Sequence, residues 1–257
     1  MDILRKELNE IYAAQHLERE HLDTANVERA GQNARNLVKI TGACAVVTDA
    51  AADRCHIYGG RFGNLMGLGI APYECTEVGS SDEDEIYGRI HPEDLVEKRM
   101  LEYEFFKLVH TLHGEEKKHY RATCRIRMCD DKGVYRKVAN STQLIELSPD
   151  GKIWLILCCY DLCPDQGDTD GIMPYIVNNG SGEIIELELG ERRKHLLSER
   201  EKEILRLIQS GKPSKQIAAI LDISVHTVNR HRQNIIEKLS VGNSIEAVMA
   251  ATAMKLL

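Results

Sequence analysis

The period of the apolar positions changes twice along the chain. From Asp2 to about Leu37 the sequence is mostly polar, and Leu4, Leu8, Ile11 and Tyr12 recur at helical spacing, which predicts a helix that packs on its own domain or pairs with a second chain. The period then shortens. Ala43–Val47 and Cys55–Tyr58 read as strands around the turn Asp49–Asp53, and Gly59–Gly69 reads as a glycine-rich region of short helix. The acidic run Ser81-Asp82-Glu83-Asp84-Glu85 is expected to be a solvated helix start. A helix follows from Ile90-His91-Pro92-Glu93-Asp94-Leu95 to about His113. Three strand-like runs come next: Arg121–Cys129, Tyr135–Leu147 and Ile153–Cys159, separated by the turns Asp131-Lys132-Gly133 and Ser148-Pro149-Asp150-Gly151. Beyond an acidic stretch at 165–170, Pro174–Val177 and Glu183–Leu189 flank Asn178-Asn179-Gly180-Ser181-Gly182, which predicts a hairpin.

From Ser198 onward the period is helical. Ser198 and Glu201 form a capping-box pair ahead of Ile204, Leu205 and Ile208, so a helix is expected to about Ser210, with Gly211 as its stop. Pro213-Ser214 restarts the chain, and Ile217, Ala218 and Leu221 give a second short helix. Ser224 caps a third, in which Val228, Ile235 and Leu239 share one side while His226, Asn229, Arg230 and Gln233 project from the other. Asn243-Ser244 caps a last helix with a small-residue surface at Ile245, Ala247, Val248 and Ala251. An apolar stripe that docks and a polar stripe that stays free is what a helix entering a major groove needs. Taken alone, the polar stripe also suits a solvated surface.

Leu197-Ser198-Glu199-Arg200-Glu201, Gly211, Ile217-Ala218, Ile223-Ser224, Thr227-Val228 and Lys238-Leu239 stand in register with the LuxR-type (FixJ/NarL-like) DNA-binding domain of bacterial regulators, which residues 194–257 resemble. The resemblance implies an all-α four-helix helix-turn-helix domain whose third helix reads bases and whose fourth dimerises, here through Ile245, Val248, Met249 and Thr252. It makes Asn229, Arg230 and Gln233 candidates for base reading, and Ser214, Lys215, Thr227, Asn234 and Lys238 candidates for phosphate contact. Arg232, near the apolar stripe, is expected only to lay its stem along it. Gln216 stands where the family usually has Glu, and Asn229 where it usually has Lys, so the sequence preference stays open. Farther upstream, His91-Pro92-Glu93-Asp94-Leu95 and then Tyr120-Arg121 through Lys132-Gly133-Val134-Tyr135-Arg136-Lys137-Val138 look like a PAS domain. That resemblance implies an antiparallel five-stranded sheet with flanking helices over residues 42–165. The expected organisation is α+β: a helical segment at 1–41, the PAS-like domain, a linker with the hairpin at 166–193, and the helix-turn-helix domain.

Charge agrees once the chain is divided. From residue 194 on, ten cations stand against six anions, +4 within a total of −7, leaving −11 for the rest. A net acidic chain is compatible with DNA binding when the cations are gathered in one domain. The eight cysteines contain no Cys-x-x-Cys pair and read as reduced thiols. No ligand spacing for a metal is present, no cofactor motif is recognised, and Gly63-Asn64-Leu65-Met66-Gly67-Leu68-Gly69 lacks the spacing of a dinucleotide loop. There is no apolar run of membrane length and no signal-like start, so no membrane association and a cytoplasmic location are expected. The expected function is that of a dimeric transcription regulator without catalytic residues, its partners double-stranded DNA, a second copy of the chain, and a small-molecule or protein effector. Two alternatives stand beside it: an amino-terminal interaction scaffold with no small ligand, and an amino-terminal enzyme domain.

Overall fold

The computed structural model describes residues 10–80, 83–167, 171–189, 196–239, 241–253 and 256–257. Leu4 and Leu8 of the expected first helix lie outside these residues. The helix itself is interrupted: a helical turn at 10–13 is followed by a left-handed His16 (φ 53°) and a 3-10 turn at Leu17–Arg19. A new helix, α1 (Thr24–Thr41), starts where Asp23 accepts a hydrogen bond from the Ala25 amide and ends at Gly42. Neither piece is free of the sheet domain. Tyr12 stacks edge-on against Phe106 with 5.4 Å between ring centroids, Gln15 bonds the backbone of Ile153, and Ala30, Ala34 and Val38 of α1 pack on Ala45, Val47, Trp154 and Leu155.

The strands are β1 (Cys44–Asp49), β2 (Arg54–Tyr58), β3 (Cys75–Val78), β4 (Tyr120–Cys129), β5 (Tyr135–Leu147), β6 (Ile153–Leu162), β7 (Tyr175–Asn178) and β8 (Ile184–Glu186). They form one antiparallel sheet in the order β3-β2-β1-β6-β5-β4-β7-β8, so it has eight strands where five were expected. Two additions account for the difference. β3 extends one edge, and the hairpin expected in the linker pairs with β4 to extend the other, because residues 120–123 of β4 offer an open row of backbone groups that β7 satisfies.

One face of the sheet carries α1. The other is covered by α2 (Arg61–Leu65), α3 (Asp84–Tyr87) and α4 (Pro92–Thr111), whose Phe62, Ile86, Met100 and Phe105, with Met66 just after α2, meet Ile57, Ile126, Val138, Ile156 and Tyr160. α4 starts with Pro92 in its first turn, where the missing amide costs no hydrogen bond. Beneath α3 and α4 lies a polar cluster. Lys98 is fully buried against Glu102, with Tyr87 bonded to both, at 3.1 Å from the ammonium and 3.0 Å from the carboxylate; Tyr160 donates to the buried Glu83. The acidic run at 81–85 is therefore no solvated helix start at Glu83; Ser81 and Asp82 lie outside the described residues. Burial raises the Glu83 carboxyl pKa against the pull of Lys98, which favours its neutral form.

Candidate nucleic-acid interface

Four helices make up the carboxy-terminal part: α5 (Glu199–Gln209), α6 (Ser214–Leu221), α7 (Val225–Lys238) and α8 (Ser244–Ala253). Their ends follow from local chemistry. At the start of α5 both halves of the capping box are made: the Glu201 amide donates to Ser198 Oγ at 3.2 Å, and the Ser198 amide donates to Glu201 Oε2 at 2.8 Å. Gly211 (φ 78°) takes the left-handed position after α5, which lets the Lys212 amide reach the Leu207 carbonyl. Between α6 and α7 the same conformation falls to Asp222 (φ 51°), one of the few side chains that tolerate it, and Ser224 then caps α7 by accepting from the Thr227 amide at 3.0 Å.

Packing aims α7. Val228, Ile235 and Leu239 are buried among Ile204, Leu205, Ile217, Ala218, Ala247 and Ala251. With that stripe docked, the opposite side of α7 is open: His226, Asn229, Arg230 and Gln233 are all exposed, and Gln233 donates to Glu237 Oε1 at 3.1 Å. Asn229 and Arg230, two of the three base-reading candidates, thus project from one exposed face with Gln233 a turn below.

The phosphate candidates divide. Lys215 is exposed at the start of α6, and Asn234 is half-buried. The Thr227 hydroxyl is 2.8 Å from Ser224 Oγ. Ser214 Oγ accepts a hydrogen bond from Arg232 Nη1 at 2.9 Å, and Arg232 Nε donates to Ser244 Oγ at 3.1 Å, so Arg232 is a clamp joining α7 to α6 and α8 instead of a stem laid on the apolar stripe. Lys238 is likewise turned inward: its ammonium lies 2.7 Å from Glu201 Oε2, on a carboxylate that is almost fully buried. Together with the capping box this contact holds the Glu201 pKa below its ordinary value, against the raising effect of burial. Spacing could not show either role, because Lys238 and Glu201 are 37 positions apart. Arg200, which donates to the last carbonyl of α6 at Leu221 from 2.9 Å, escaped the sequence reading for the same reason.

On α8, Ala247, Ala250 and Ala251 face inward while Ile245 and Met249 are 73% and 67% exposed; Val248 is half-buried, and Thr252 is exposed, with its hydroxyl 3.3 Å from Gln209 Nε2. α8 also touches α4 of the sheet domain.

Comparison with known proteins agrees with this geometry in its extent. The family model "Bacterial regulatory proteins, luxR family" matches residues 195–251. The uncharacterized response regulatory protein YgeK of Escherichia coli is 48% identical over 58 residues, which are 23% of this chain and 40% of that protein. The regulatory protein SdiA of Escherichia coli is 45% identical over 60 residues, 23% of this chain and 25% of its own. The chain thus spans two fifths or less of the length of these relatives. Among solved structures, a Vibrio cholerae VqmA dimer in the absence of target DNA is 14% identical over 88% of each chain with a TM-score of 0.30, too low to establish a common arrangement. The four helices from Glu199 to Ala253 form a luxR-family domain of bacterial regulatory proteins.

Proposed function

We propose that this protein is a sequence-specific DNA-binding transcription regulator, active as a dimer, in which the sheet domain acts as a PAS-like sensor controlling presentation of α7. The observation that carries the reading is the division of α7: Val228, Ile235 and Leu239 anchored inside, Asn229, Arg230 and Gln233 outside. In this reading Arg230 pairs with guanine and Asn229 or Gln233 with adenine, while Lys215, Thr227, Ser214 and Asn234 lie along the phosphates and Lys238 serves the fold. Ile245, Val248, Met249 and Thr252 of α8 meet their copies in a second chain. No catalytic role is assigned, and the site of action is the cytoplasm; among the described residues no helix is long and apolar enough to cross a membrane.

Support for the PAS-like reading comes from the run β2-β1-β6-β5-β4, a five-strand antiparallel body with α2, α3 and α4 inserted between β2 and β4 on one face. We take the sensor to include α1 and the β7–β8 hairpin, both of which pack on or pair with that body. The contact of α8 with α4 offers a route by which an effector that prefers one arrangement of the domains shifts the availability of α8. A second reading, a sensor that answers to a protein and holds no small ligand, is favoured by the interior itself, which Met66, Met100, Phe105, Tyr160 and the Lys98–Glu102 pair occupy.

Selection of bound sequences from random duplex DNA, run on the protein and on Arg230→Ala, tests the proposal. The expected result is an inverted repeat that the variant still binds with discrimination lost at one base per half-site, worth about 1–3 kcal/mol. No enrichment by the unaltered protein, with or without cell extract as a source of effector, would overturn it.

A further inference from the structure

We infer that a cavity between the start of α4 and strands β4 and β5 binds a small oxyanion through Lys137 and Arg125. The cavity has a volume of about 120 Å³ and is lined by Glu93 and Asp94 of α4, Arg125, Ile126 and Arg127 of β4, Lys137 of β5, and Gly171. That is room for about four waters or one phosphate or short carboxylate.

One feature of the site is costly without an anion. Lys137 Nζ is buried and, among the described residues, has no hydrogen-bond partner; an unpaired buried ammonium is one of the more expensive groups a fold can carry. Arg127 lies directly opposite Lys137 in the β4–β5 ladder, with Arg125 two positions along on the same face as Arg127. The carboxylates of the lining neutralise Arg127 and leave Lys137 unpaired: Arg127 Nη2 is 2.7 Å from Glu93 Oε2, and Arg127 Nε is 3.1 Å from Asp94 Oδ2, whose oxygen also accepts from the Arg127 amide at 2.6 Å. Among the described residues, Asp161, Asp165 and Glu97 are outside the lining, although Glu97 Oε2 comes close to Gly171. Asp161 sits one strand further, opposite Ala139.

The site is held in place before any ligand arrives. Gln166 clamps the Lys137 backbone on both sides, accepting from its amide and donating to its carbonyl at 2.9 Å each, and the Arg125 amide is fixed to the Ile172 carbonyl at 2.7 Å. His91, Glu93 and Asp94 bring a ligand atom each within 4.8 Å of one another, but Arg127 already occupies both carboxylates, so the chemistry of the cavity favours a negative group over a cation.

Thermal unfolding of the full chain in sodium phosphate, sodium acetate and sodium chloride at matched ionic strength tests the site, using the unaltered protein, Lys137→Met and the surface variant Arg125→Gln. The expected result is a midpoint about 2–4 °C higher in phosphate or acetate than in chloride, reduced in Arg125→Gln and absent in Lys137→Met, which in chloride is at least as stable as the parent. A gain in phosphate alone assigns a tetrahedral dianion, and a gain in both assigns a carboxylate-type ligand. Equal midpoints in all three salts, or a gain that Lys137→Met and Arg125→Gln both retain, overturns the inference. Because neither residue lies in the helix-turn-helix, failure here leaves the DNA reading intact.

Discussion

Glu201 is asked to do three things at once: it closes the α5 capping box, is buried, and pairs with Lys238 at the far end of α7. Lys238→Met would leave that carboxylate without its cation, and the expected cost is about 2 kcal/mol of domain stability, below the full penalty for a buried pair because the ammonium retains some exposure. A denaturant titration of the isolated variant measures it, and a loss of DNA affinity at unchanged stability would instead return Lys238 to the phosphate contacts. The cap was legible in the sequence because its partners are three residues apart; the Lys238 and Arg232 partnerships were not, because a helix wheel shows which side of α7 a residue occupies but not what another helix brings up to it. Glu83 escaped for a related reason. In an acidic run each carboxylate looks solvated, and only the fold sets Tyr160 and Lys98 beside this one.

At the scale of elements, the helices of the carboxy-terminal domain and the three long strands were readable from period and turn chemistry alone, since each buries one face of regular spacing. The failures have physical causes. Helical spacing of Leu4, Leu8, Ile11 and Tyr12 suggested one helix across residues that His16 and the Asp23 cap divide, a local stop outvoting the average pattern. β3 has four residues that alternate only between exposed and half-buried, so it has no buried face for an apolar pattern to mark. For α8 the exposed Ile245 and Met249 leave an apolar surface unexplained within one chain. Ile245→Asp combined with Met249→Asp is expected to weaken self-association and lower affinity for a two-half-site duplex by about tenfold or more, with half-site binding little changed; sedimentation and a mobility-shift titration read the two effects. Unchanged self-association would move the dimer contact to the sheet domain.

For the molecule as a whole, the separation of charge means that the two domains respond differently to pH. Glu201 has its folded pKa below the ordinary value of 4.5, so the stability it contributes is present above that value and is lost as pH falls through the folded one. Glu83 is shifted the other way: its contribution is present below the ordinary value and is lost as pH rises through the raised one. Acid titration below about pH 5, followed by a probe in each domain, is expected to loosen the helix domain first, with Glu201→Gln flattening that response. Simultaneous loss in both domains would mean that the contact of α8 with α4 makes them one cooperative unit.

The hairpin on β4 bears on how this protein is to be cut. The strands at the two rims have only four and three residues, β3 and β8, a length that offers an incoming chain little to grip. A fragment ended at residue 165, where the sequence alone puts the domain boundary, would remove β7 and β8 and uncover residues 120–123 of β4. Such a fragment is expected to aggregate, whereas one ended after Leu189 stays monodisperse by light scattering. Insolubility of a short sensor fragment would then be a property of the cut, and β7–β8 would be understood as the selvage that keeps the sheet from fraying into its neighbours.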